Sequence, residues 1–262
     1  MVKVYTGKAP MNPTHLLQNI HRPMILVCIV HFLLLAGCSE EETSKPVSDS
    51  INKIMPLGAS RVEGDRPEYE SFRFELWLLL TDGNWDFDYM GTRTDGGSYP
   101  AIRDKPSFDR NHEGRGGWTS GDILEGIDGW LAETGAPDIV LFSSPGGNDA
   151  LLGLDYDQAV SNINAIIDAI QVVNPEVTII IEQLAPGHSE IMTGELLMYF
   201  DQIQRDLPQL AQEQTTDTSQ VIVVDMFTGF TDDLLADDVH YNTAGAKFIA
   251  QRYYAMLESV LK

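Results

Sequence analysis

The chain is expected to fold as an α/β protein built on a five-stranded, parallel, doubly wound sheet, and two observations carry that expectation. Five short apolar runs, each suited to a buried strand, alternate with five helical stretches, and the order βαβαβαβαβα calls for parallel strands joined by right-handed crossovers. Behind an N-terminal leader and tether, roughly 210 residues remain, enough for one domain with a full core.

The strand runs are Lys53–Leu57 (KIMPL), Phe87–Gly91 (FDYMG), Asp138–Phe142 (DIVLF), Thr178–Glu182 (TIIIE) and Gln220–Asp225 (QVIVVD). Between them, Glu70–Leu80 reads as a helix stopped by Gly83, because glycine tolerates the backbone turn that ends a helix. Ser120–Thr134 begins with Thr, Ser and Asp in capping positions and closes at Gly135. Tyr156–Val173, Glu190–Gln214 and Thr243–Leu261 complete the set, with Pro175 marking an end and Pro208 expected to kink the long fourth helix. In such a sheet, ligand sites lie beyond the carboxyl ends of the strands. One connection, Thr92–Trp118, is long and rich in Gly, Pro and Asp; loops of that size commonly shape a site.

Residues 1–37 read as a signal segment: Pro23–Gly37 (PMILVCIVHFLLLAG) is apolar, follows Lys3, Lys8 and Arg22, and is too short to span a bilayer comfortably. It ends in Leu35-Ala36-Gly37-Cys38, which resembles the lipobox of bacterial lipoproteins, so Cys38 is expected to carry a lipid anchor. Met11 is an alternative start. Residues 38–52 then form an acidic tether without aromatic residues, unable to bury a core and reaching about 45 Å when extended. These features point to an exported lipoprotein at the outer membrane or cell surface.

All 39 Asp and Glu fall after the leader, and the whole chain carries a formal charge of −22. Such a surface repels nucleic acid and anionic headgroups, so no nucleic-acid partner is expected. The only cysteines are Cys28, inside the leader, and Cys38, which leaves the domain without disulfides or a catalytic thiolate.

Four segments carry chemistry. Directly after the first strand, Gly58-Ala59-Ser60 forms a turn that throws a hydroxyl onto the carboxyl edge of the sheet. Before the last helix, Asp237-Asp238-Val239-His240 offers an imidazole with a carboxylate three residues away; a neutral imidazole can take a hydroxyl proton while the carboxylate fixes its tautomer. Only His112 and His188 compete with His240 after the leader. Gly146-Gly147-Asn148-Asp149 follows the third strand, and Gly114-Arg115-Gly116-Gly117-Trp118 lies in the long connection. An Asn amide and a glycine N–H are donors for an oxygen that becomes negative during acyl transfer.

Together the four segments, in this order, resemble the blocks of the SGNH (GDSL-type) hydrolases, most closely the acetyl xylan esterase-like branch, over residues 53–262. The resemblance implies a flavodoxin-like three-layer sandwich and a serine esterase with Ser60 as nucleophile, His240 as base and Asp237 as orienting acid. It also implies an oxyanion hole from Gly117, Asn148 and the Ser60 N–H. No metal or cofactor is needed. Short acyl groups, acetyl foremost, on plant or algal polysaccharide are the implied substrates; lysophospholipase or thioesterase activity uses the same blocks. Ala59 stands where the family has Asp, which leaves open how the nucleophile turn is held and admits a catalytically impaired glycan-binding lipoprotein as an alternative. Arg61 either pairs with Glu63 or reaches a substrate oxygen, and Trp118, Tyr99 and Trp85 either stack on a sugar or pack the core. Because the base must be neutral, activity should rise with pH as the imidazole loses its proton.

Overall fold

The computed structural model describes residues 48–262; the leader, Cys38 and most of the tether lie outside them. The domain is a three-layer α/β sandwich around a mainly parallel sheet. The sheet strands are β1 (Lys53–Gly58), β2 (Asp88–Tyr89), β3 (Arg93–Thr94), β4 (Asn111–Gly114), β5 (Ile139–Phe142), β6 (Thr178–Gln183) and β7 (Gln220–Asp225). Their order is β3-β4-β1-β5-β6-β7, with β2 also paired to β1.

Alternation along each strand sorts the core onto two faces. Met55, Leu57, Val140, Phe142, Ile179 and Ile181 pack on one side against α3 (Ser120–Thr134), α5 (Tyr156–Val173) and α6 (Gly194–Gln214). Ile54, Ile139, Leu141 and Ile180 face α2 (Arg73–Asp82) and α7 (Thr243–Leu257) on the other. A strand buried on both faces has to be apolar at nearly every position; hence the Thr178–Glu182 run, whose Ile179, Ile180 and Ile181 are fully buried. Two short helices, α1 (Ser60–Glu63) and α4 (Gly147–Leu151), follow β1 and β5, and a 3₁₀ turn spans Asp232–Leu234.

Among the described residues seven strands form the sheet instead of the five expected from sequence. The expected second strand, Phe87–Gly91, is cut to two residues that pair with Lys53 and Ile54. Beyond them β4 takes over the same edge, with Leu57 opposite Glu113 and Gly58 opposite Gly114. The handover needs a glycine: a Cβ on Gly91 would lie 2.1 Å from the His112 carbonyl, nearer than any side chain can come. β3 then pairs antiparallel with β4.

The long connection is held by its own core. Tyr99 packs on Phe74 and Phe108, at 5.0 and 4.7 Å between ring centroids, and Asp95 meets the buried Arg73 at 2.6 Å. Removing one partner of such a buried pair costs about 3–5 kcal/mol. Tyr99 is therefore a packing residue, its hydroxyl bonded to Asp95. Trp85 likewise packs at the end of α2 against the α2–α7 layer.

α3 and α5 have the expected boundaries. Thr119 and Asp122 close a reciprocal capping box at the start of α3, and Asp155 caps α5. α2 and α6 start three and four residues late. In each case tertiary hydrogen bonds to the segment before α7 hold the preceding chain: Glu70 N–H donates to the Tyr241 carbonyl and His188 N–H to the Asp238 carbonyl.

Candidate active site

At the carboxyl edge of the sheet, β1 ends in the Gly58-Ala59-Ser60 turn. Gly58 permits it, since a Cβ there would sit 2.8 Å from the Ser143 carbonyl oxygen and 2.9 Å from Val62. Ser60 is the first residue of α1, and as at any helix start its N–H has no intrahelical acceptor. Its Oγ lies 2.9 Å from Nε2 of His240, a contact across 180 residues of sequence.

The other ring nitrogen of His240, Nδ1, is 2.7 Å from Oδ2 of Asp237. Oδ1 of the same carboxylate accepts the Val239 and His240 N–H groups at 2.9 and 2.8 Å. Burial alone would raise the Asp237 pKa; the Val239 N–H, the imidazole and the His240 N–H outweigh it and hold the carboxyl below its usual range. The ionised carboxylate accepts a hydrogen bond from Nδ1–H, which leaves Nε2 free to accept from the serine hydroxyl.

Three further contacts position these groups. The Tyr69 ring stacks on the imidazole, 3.9 Å between centroids and 15° from parallel. Arg61 is 8% exposed. Its Nε donates to the Val239 carbonyl at 2.8 Å, and its terminal nitrogens donate to the Ala185 and Pro186 carbonyls at 2.7 and 3.0 Å. It thus ties α1, which begins at Ser60, to the histidine segment. Arg73 holds the opposite end of α1 to α2, donating to the Val62 and Glu63 carbonyls at 2.6 and 2.8 Å. The two guanidiniums hold the turn although Ala59 supplies no side-chain cap.

Neither sequence alternative describes these Arg61 contacts. Glu63 pairs instead with Arg93 at 3.5 Å and accepts the Gly116 N–H at 2.6 Å. That second bond draws the glycine loop against Ser60: a Cβ on Gly116 would lie 3.9 Å from that of Ser60. Gly117 next to it has φ +79°, and among the described residues neither its N–H nor that of Ser60 has an acceptor. Asn148 spends one amide hydrogen on the Trp118 carbonyl at 2.7 Å and lines the pocket beside Ser60. The Trp118 ring itself packs on Trp130 and under Arg115, a core contact of the kind the sequence left open.

Behind the pocket, Glu182 is fully buried and accepts from the Ser144 N–H and Tyr253 hydroxyl, each at 2.7 Å. Burial pushes its pKa up, against the pull of Tyr253, Ser144 and Arg61. His112, a rival by sequence, sits in the core, where burial, reinforced by the Arg73, Arg93 and Arg115 guanidiniums, lowers its pKa to about 2. His188 faces Asp232 at 3.6 Å. Sequence reasoning missed Tyr69, Arg73 and Glu182. None lies in a short-range motif, and only an unusual charge inside an apolar stretch, as for Arg73 and Glu182, signalled two of them.

Comparison with known proteins identifies the family and the fold. The model of the GDSL-like lipase/acylhydrolase family matches residues 80–248, a span that contains Asn148, Asp237 and His240 and begins after Ser60. Among solved structures, a carbohydrate esterase family 3 protein from Talaromyces cellulolyticus is 30% identical, with a TM-score of 0.69, covering 80% of this chain and 97% of its own. An acetyl esterase mutant crystallised with an acetate ion is 29% identical with the same TM-score and coverage. The Clostridium thermocellum family 3 carbohydrate esterase is 27% identical, with a TM-score of 0.63, covering 80% of this chain and 99% of its own. A comparison with curated proteins gives no match.

Proposed function

The chain belongs to the GDSL-like lipase/acylhydrolase family and is an ester hydrolase, and from that premise we propose that it is a serine esterase acting on short-chain acyl esters of carbohydrate. The observation that carries the reading is the hydrogen-bonded chain from Ser60 Oγ through His240 to Asp237. Ser60 attacks the ester carbonyl as its proton passes to His240 Nε2. The resulting imidazolium is stabilised by Asp237 and gives the proton to the leaving alcohol, and water then releases the acid by the same route. The unpaired N–H groups of Ser60 and Gly117 and the second Asn148 amide hydrogen are donors for the oxyanion. The carbohydrate leaving group rests on similarity to the carbohydrate and acetyl esterases.

Hydrolysis of p-nitrophenyl acetate and release of acetate from acetylated xylan test the reading, with inactivity on both counting against it. Within that assay Asn148→Ala should lower kcat by about 10²–10³, the usual effect of losing one oxyanion donor; an unchanged kcat removes Asn148 from the site. Export and anchoring through Cys38 are proposed from sequence alone. Radiolabelled palmitate should enter the wild-type chain in bacteria and not Cys38→Ser, and equal labelling would refute the anchor.

A further inference from the structure

A charge stands in an interior strand where the sheet itself has no use for one. Glu182 follows Ile179, Ile180 and Ile181 in β6 and is as fully buried as they are, although a strand covered on both faces is filled by apolar side chains. A carboxylate kept there must have donors around it, and three are present. Oε2 accepts the Ser144 N–H at 2.7 Å and the Ser144 hydroxyl at 3.3 Å, and Oε1 accepts the Tyr253 hydroxyl at 2.7 Å. Arg61 donates to the same Ser144 Oγ at 3.4 Å, so its guanidinium and the carboxylate meet across one hydroxyl.

Ser144 opens the turn that carries Asn148. Its φ is +48°, in the left-handed region that a residue with a Cβ leaves unless its surroundings hold it. Pro145 follows with φ fixed by its ring, Gly146 is left-handed at φ +73°, and the Ser144 carbonyl accepts the Gly147 N–H at 3.0 Å. The direction of α4 is therefore set at Ser144. With five residues, α4 is too short to be stable without outside contacts. Asp149 ties it to the start of α3, accepting the Ser120 N–H and hydroxyl at 2.8 and 2.7 Å. That tie does not fix its distance from Ser60. The contact from Glu182 through Ser144 to Arg61 does, because Arg61 is the residue next to Ser60.

We infer that Glu182 is a positioning residue for the oxyanion: by holding Ser144 it sets where the Asn148 amide stands relative to Ser60. The inference rests on the proposed role of Asn148 as an oxyanion donor.

Two variants of the full chain separate reach from charge. Glu182→Gln keeps the length: its amide oxygen can accept the Ser144 N–H while its nitrogen donates to the Tyr253 oxygen, so kcat on p-nitrophenyl acetate should stay within about threefold of wild type. Glu182→Asp keeps the charge and draws it back by a methylene. A displacement of about 1 Å at Asn148 should then lower kcat about 10²-fold, and kcat/KM by the same factor, because an oxyanion donor acts in the transition state. In the Asn148→Ala background the same Glu182→Asp should cost no more than about threefold, a coupling that general loosening of the fold would not produce. Thermal midpoints accompany each variant. If Glu182→Asp does not fold, Glu182→Met, which fills the site without a carboxylate for the Ser144 N–H, takes its place with the same expectation. Glu182→Asp or its substitute at the wild-type rate, Glu182→Gln as slow as either, or an equal loss in both backgrounds overturns the inference and leaves the esterase reading intact. If Asn148→Ala itself leaves kcat unchanged, the oxyanion role and this inference fall together, while Ser60→Ala still decides the esterase reading.

Discussion

Replacing Ser60 by alanine is expected to lower kcat on p-nitrophenyl acetate by about 10⁴–10⁶, with circular dichroism and thermal midpoint unchanged. The size follows from the loss of the acyl-enzyme route; what survives is the contribution of the oxyanion donors and of substrate binding. The fold should be indifferent, because the Ser60 side chain makes one hydrogen bond, to His240, and the turn is held by Arg61 and Arg73. Since the hydroxyl and imidazole act as one unit, Ser60→Ala combined with His240→Ala should be little slower than either alone. A double variant whose loss is the product of the two single losses would show that they act separately. Retention of more than a tenth of the wild-type kcat by Ser60→Ala would exclude Ser60 as the nucleophile.

Asp237→Asn carries the second-largest expected effect, a loss of about 10⁴ in kcat. The substitution preserves shape: the amide oxygen can still accept the Val239 and His240 N–H groups that Oδ1 accepts now. The amide nitrogen, however, would face Nδ1 of His240 where Oδ2 stands. Two N–H donors cannot share that contact, so Nδ1 must become the acceptor and the ring proton moves to Nε2. Nε2 then points a hydrogen at Ser60 and cannot take its proton. The asparagine variant should fold as the wild type does and fail in turnover, with KM little changed. A kcat within tenfold of wild type would mean that another group orients the imidazole.

Much of this site was legible in the chain because its residues sit in short local patterns. Gly58-Ala59-Ser60 follows an apolar strand, Asp237 precedes His240 by three residues, and Asn148 lies just beyond β5. The boundaries of α3 and α5 were equally readable, since capping side chains act within three residues of the helix start. β4 was not. Its residues, Asn111-His112-Glu113-Gly114, carry no alternation and little apolar character, and they become a strand only because the edge of β1 beyond Ile54 is open to pairing. Arg61 was ambiguous for the same reason. Its guanidinium could reach several partners, and the choice of the Val239, Ala185 and Pro186 carbonyls depends on three segments distant in sequence arriving together.

By itself the sequence determined which groups are available and on which edge of the sheet they emerge: apolar periodicity sets the layers, and a residue just past a strand is bound to that rim. Only the tertiary structure decided what surrounds them. The stacking of Tyr69 on His240, the two arginines bracing a turn that lacks its usual acid, and the apolar pocket beside Ser60 each join residues far apart along the chain. Contacts of that kind are chosen by how the layers pack, which no local pattern encodes.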